Sequence, residues 1–166
     1  MEELSLVGNR LDDALCERFS EALIKSLPPL KEINLSRNSI TDRGACALSE
    51  FIQVNHYLKV FKISWNKIQG KGGIALANAI KECQRLVFFD GSFNMFGNKH
   101  NGEFGLRMGE ACNKGFLKHL DISYNSMDRK ECEVFGDTIY DNHTLWGLHI
   151  LGNDCTLDSM GYVRAG

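Results

Sequence analysis

The chain has 166 residues, 43% of them hydrophobic, and a formal net charge of -2. This is an ordinary globular balance, with no basic excess of the kind nucleic-acid binders carry. No apolar run nears the ~18 residues of a membrane span, and Glu2 and Glu3 stand where a secretory leader would be basic and then apolar.

Taken from the first residue, one eleven-residue phrase keeps returning. It reads MEELSLVGNRL from Met1, LKEINLSRNSI from Leu30 and LKVFKISWNKI from Leu58. It then reads LVFFDGSFNMF from Leu86, LKHLDISYNSM from Leu117 and LWGLHILGNDC from Leu145. Its asparagines are Asn9, Asn38, Asn66, Asn94, Asn125 and Asn153, at steps of 29, 28, 28, 31 and 28 residues. A fixed period of this size is the mark of a solenoid.

Inside each phrase apolar residues alternate, as in Ile33 and Leu35, Phe61 and Ile63, Leu120 and Ile122. That is the period of a strand with one buried face, which neighbours must cover by stacking into a parallel sheet. The asparagine comes where the chain turns away, and its amide can both donate to and accept from stranded backbone groups. A buried asparagine ladder is therefore expected.

The period then becomes helical. Cys16, Phe19 and Leu23 form one face, followed by Ala45, Leu48 and Ile52, then Gly73, Leu76 and Ile80. Cys132, Phe135 and Ile139 repeat it, while Gly105, Met108 and Cys112 form a face offset from the register, as if four residues entered and one left before Leu117. Pro28 and Pro29 stop the first helix, since proline cannot continue its hydrogen bonds. Two units depart from the pattern. In the fourth, Gly91 replaces an apolar strand residue, and GNKHNG (Gly97 to Gly102) reads as an inserted mobile loop with a contact role. In the sixth, a helix is expected to begin near Tyr162, just before Gly166.

These six phrases resemble the ribonuclease-inhibitor type of leucine-rich repeat, with its repeats of about 28 residues. That group includes ribonuclease inhibitor, the activating protein of the Ran GTPase, tropomodulin and the innate-immune NACHT receptors. The resemblance implies a right-handed α/β horseshoe, with parallel strands on the concave face and helices on the convex face. Residues 1–166 then form one repeat domain of about six units, read as part of a longer array or as one that self-associates end to end with a second copy.

Six cysteines fall roughly one per unit, with no CxxC pair. Inward helical positions such as Cys16, Cys112 and Cys132 suit a small hydrophobe. The reading is reduced thiols in an intracellular, cytoplasmic protein, with disulfides or a metal site as alternatives. GKGGIA from Gly70 imitates a dinucleotide-binding turn, but Asn66, Ile68, Leu76 and Ile80 explain it by the repeat alone. No cofactor is implied.

The outward strand positions form columns: Glu3, Glu32, Val60, Phe88, His119, Gly147, and then Ser5, Asn34, Lys62, Asp90, Asp121, His149. Just before the asparagines come Gly8, Arg37, Trp65, Phe93, Tyr124 and Gly152. His119, Asp121 and His149 together could ligate a metal or pair a base with its orienter. Exposed strand positions are polar by default, however, and the stronger reading is a surface for a protein partner. Its candidate residues are Val60, Lys62, Trp65, Phe88, Asp90, Phe93, His119, Asp121, Tyr124 and His149, because exposed aromatics beside charges mark hot spots. The expected function is non-catalytic protein binding through the concave face, as a scaffold or adaptor; regulation of a small GTPase is the alternative. Neither nucleic acid nor membrane is an expected partner.

Overall fold

The computed structural model describes residues 2–97 and 102–166. The reading of the GNKHNG insertion as a contact loop falls on residues 98–101, outside the described residues. Five units follow one plan of strand, turn and helix. They are β1 (Glu3–Ser5) and α1 (Asp13–Ser26), β2 (Glu32–Asn34) and α2 (Asp42–Val54), and β3 (Val60–Lys62) and α3 (Gly70–Glu82). Then come β4 (Phe88–Asp90) and α4 (Glu103–Lys114), and β5 (His119–Asp121) and α5 (Arg129–Thr138). Strand β6 (Gly147–His149) ends the sheet, whose order β1-β2-β3-β4-β5-β6 is parallel throughout. The result is an α/β solenoid of the horseshoe kind, with helices on one side of a sheet whose other face is open.

The core lies between the two layers. Ile33, Leu35, Phe61, Ile63, Phe89, Leu120 and Ile122 point inward and are almost completely buried, opposite Leu48, Ile52, Leu76, Ile80, Met108 and Phe135. The oddity at Gly91 has a packing reason. A Cβ there would come within 2.7 Å of Phe96 and 2.8 Å of Phe89, so two large rings fill the space its side chain gives up.

The asparagine ladder forms, and it has a direction. Each asparagine accepts from the backbone of the preceding unit: Leu11 N–H to Asn38 at 2.8 Å, Ile40 to Asn66 at 3.0 Å, Ile68 to Asn94 at 3.1 Å and Met127 to Asn153 at 3.1 Å. Each amide also donates backwards, to the carbonyls of Leu6, Leu35, Ile63, Gly91 and Ile122 in turn. Asn9 differs: among the described residues its amide reaches only the Val7 carbonyl, and it is exposed.

A second ladder, on the helix side, gave no signal in the repeat phrase. Asp13 of α1 accepts from the backbone N–H of Thr41 and Gly44 at the start of α2, and Asp42 of α2 does the same for Gln69 and Gly72 at α3. Carboxylates suit these sites, because helix N-termini expose unpaired N–H groups and the positive end of the dipole. At α4 the direction reverses: Glu131, buried in the following helix, accepts from Gly102 and Gly105 at 3.0 and 2.6 Å. Asp13 is held below the ordinary carboxylate range. Desolvation opposes its charge, but the Thr41 hydroxyl, the two N–H groups and the nearby Arg43 together outweigh it. Glu131 is pushed upward, because its burial exceeds what the Gly105 and Gly102 N–H groups return, and Asp128 adds repulsion.

Two expectations fail at the C-terminal end. No helix starts near Tyr162; instead β7 (Cys155–Leu157) and β8 (Val163–Ala165) pair as an antiparallel hairpin. Asp158 shapes its turn by accepting from Met160 and Tyr162 N–H and from Arg164 Nε. Asp and Gly in DSMG favour a turn, and helical spacing over so few residues has no nucleus to build on. The hairpin lies on α5: Val163 is buried, Tyr162 stacks on Tyr140 at 4.6 Å, and a Cβ on Gly136 would meet the Val163 carbonyl at 2.5 Å. Moreover, Cys132 is joined to Cys155 by a disulfide, so the reading of reduced thiols is wrong for this pair. Their sequence separation of 23 residues hid a Cα–Cα distance of 5.4 Å that only the hairpin creates. Cys16, Cys46, Cys83 and Cys112 are free, and burial pushes the Cys16 and Cys112 thiols up to about 12.

Candidate interaction face

The sheet register places every column as the sequence implies. Val60 lies beside Phe88, Phe88 beside His119, and His119 beside Gly147; Lys62, Asp90, Asp121 and His149 form the next row. Their side chains face away from the helices, because Phe61, Phe89, Leu120 and Leu148 between them point in.

Two aromatic stacks cross this face. In one, Trp65 lies on Phe93 at 4.0 Å and 11°, and Phe93 lies on Tyr124 at 4.5 Å and 13°. The Arg37 guanidinium extends that stack at 5.2 Å from the Trp65 ring. In the other, Phe88 stacks on His119 at 4.6 Å, and His119 tilts against His149 at 4.8 Å. Lys62 approaches the Phe88 ring at 5.7 Å and pairs with Glu32 at 2.8 Å.

The first stack carries a backbone cost that periodicity does not reveal. The residue before each asparagine is left-handed in every unit: Gly8 at φ 69°, Arg37 at 58°, Trp65 at 56°, Phe93 at 54°, Tyr124 at 53° and Gly152 at 76°. Glycine takes this conformation freely, and other residues lose roughly 1–2 kcal/mol. An aromatic stacking pair returns about 0.5–1.5 kcal/mol. Two such pairs, at about 1–3 kcal/mol together, return less than the roughly 3–6 kcal/mol that three left-handed residues cost, so stacking alone does not account for the three aromatics. Trp65 and Tyr124 remain 48% and 44% exposed.

The catalytic and metal-binding possibilities at His119, Asp121 and His149 find little geometry. Asp121 accepts from the Ser123 N–H at 2.9 Å, as Asp90 does from Ser92, so its carboxylate shapes its own turn. Among the described residues no three His, Cys, Asp or Glu side chains converge as a metal site. The glycine run at α3 is likewise accounted for by packing. A Cβ on Gly72 would meet Ile68 at 2.6 Å and Asp42 at 2.7 Å, and Asp42 already holds the N–H groups a phosphate would need. No helix among the described residues is long and apolar enough to cross a membrane.

Compared with known families, a model described as "Leucine Rich repeat" matches residues 26–49 and 54–77, which cover β2 and β3, each with the larger part of the helix that follows it. No curated protein matches the chain.

Proposed function

Since this chain is a leucine-rich-repeat protein folded as an α/β solenoid, we propose that it binds a protein partner through the concave, open face of its sheet, without catalysis of its own. Residues 1–166 act in this reading as one repeat domain, a scaffold or adaptor surface. We assign it to the ribonuclease-inhibitor type, on the support of helices of 10 to 14 residues in its units. The observation that carries the binding face is the exposed stack Trp65–Phe93–Tyr124, held in left-handed backbone where glycine would cost less. Val60, Phe88, His119 and His149 extend the apolar and aromatic area, while Lys62, Asp90 and Asp121 set charge specificity at its edge. No observation favours regulation of a small GTPase, and that reading is set aside.

An intracellular location belongs to the same proposal. The Cys132–Cys155 bridge pulls the other way, because disulfides persist mainly in oxidising compartments.

The test is capture of cross-linked partners by the double variant Trp65→Gly with Phe88→Ala. Glycine fits the φ of position 65, so the denaturation midpoint should barely move while capture falls at least tenfold. Capture that survives this change, and is lost instead with Glu50→Lys and Glu82→Lys on the helices, would refute the concave assignment.

A further inference from the structure

Among the described residues the two layers of the solenoid differ beyond the fifth helix. The helix layer is closed, because the β7–β8 hairpin covers α5 and is fastened to it by Cys132–Cys155. The sheet layer is open: among the described residues no strand pairs with the outer edge of β6. The preceding strand shows which groups are left free. Just past β5, Ile122 and Tyr124 donate N–H to His149 of β6 and to Leu151 beyond it, and the Lys118 carbonyl just before β5 accepts from Trp146 and Gly147. One unit on, the equivalents are the Ile150 and Gly152 N–H groups and the Trp146 carbonyl, and none has a backbone partner among the described residues.

Beside this edge lies an apolar groove of about 430 Å³, walled by Leu148, Ile150 and Leu151 on one side and by Cys155 and Leu157 on the other. Leu151 and Leu157, which line it, are 70% and 56% exposed, and Trp146, just before β6, is 85% exposed. We propose that the edge of β6 binds an extended peptide segment of a protein partner as a seventh parallel strand, with its alternate apolar side chains in the groove and an acidic residue beside His149.

Each part of that occupant follows from the site. Unpaired ladder groups at a period of two call for an extended backbone. Side chains opposite Leu148 and Ile150 point inward and must be apolar, while the one opposite His149 points outward beside an imidazole that can donate to a carboxylate. A whole second copy does not fit. Its β1 edge is open too, but its α1 would have to pack where the hairpin already lies on α5. A lone strand meets no such obstacle. This site is separate from the concave face, although the two adjoin at His149.

The chain's own residues 117–127, LKHLDISYNSM, have the required pattern, since one register step would set Leu120 beside Leu148, Asp121 beside His149 and Ile122 beside Ile150. A fluorescein-labelled peptide of that sequence, titrated with the disulfide-bonded protein, is the probe. Saturable anisotropy is expected. N-methylation of the peptide's aspartate amide, which faces β6, should weaken binding at least tenfold, and so should Leu157→Lys, an exposed position whose change leaves the fold intact. Absence of saturation at about 1 mM protein overturns the proposal, that being the weak limit for a useful complex. Equal binding of the methylated peptide overturns the strand geometry. Sedimentation as a dimer that Leu157→Lys dissolves would show that a second copy, and not a peptide, is the occupant.

Discussion

Replacing Asn66 by alanine isolates what one rung of the asparagine ladder contributes. Its amide donates to the carbonyls of Leu35 and Ile63, but Leu35 also receives Asn38 and Ile63 also receives Asn94. Both carbonyls keep a partner after the change. The Ile40 N–H does not: Asn66 Oδ1 at 3.0 Å is its acceptor, and Ile40 is fully buried. The loss is therefore one stranded buried donor, roughly 1–3 kcal/mol. Asn9→Ala is the internal control, since that side chain reaches only Val7 in an exposed turn, and it should stay within about 0.5 kcal/mol. Urea denaturation followed by circular dichroism gives both values, and unchanged m-values would confirm that the denatured state is the same. If Asn66→Ala and Asn9→Ala shift the midpoint equally, the backward direction of the ladder has no energetic meaning and the reasoning is refuted.

The two helix-capping carboxylates should respond to pH with opposite signs. Asp13, with its folded pKa lowered, contributes stability above its unfolded value of 3.8 that disappears as pH falls through the folded one; Asp13→Asn should flatten that acid limb. Glu131, with its folded pKa raised, binds its proton more tightly when folded, so stability falls as pH rises from the unfolded 4.5 through the folded value, and Glu131→Gln should remove that decline. Denaturation midpoints between pH 3 and pH 7 measure both, and a same-sign response from the two variants would contradict the assignment. Reducing Cys132–Cys155 should cost about 3 kcal/mol for a loop of its 23-residue separation in the chain-entropy model, read as a lower thermal midpoint under reductant. No change in midpoint would mean that the hairpin holds to α5 without its tether.

The repeat was fully legible because its signal is periodic and local. Alternating Ile33 and Leu35, then Asn38, then Ala45, Leu48 and Ile52 specify strand, turn and helix within one unit, and the fixed step carries that register to the next. The columns from Val60 to His149 follow at once, since side chains on stacked parallel strands must line up. What the sequence alone could not settle depends on distance along the chain or on relative energy. The left-handed backbone of Trp65, Phe93 and Tyr124 conflicts with local propensity and persists because the asparagine ladder and the stacked neighbours fix the turn around it. Glu131 reaches back to α4 only because the next helix packs there, whereas Asp13 and Asp42 reach forward. The final segment became a hairpin and not a helix because α5 offered Val163 a surface and Cys155 a partner, contacts that no spacing in the sequence encodes. Periodicity set the plan of each unit, and tertiary packing decided the fold of the segment after β6.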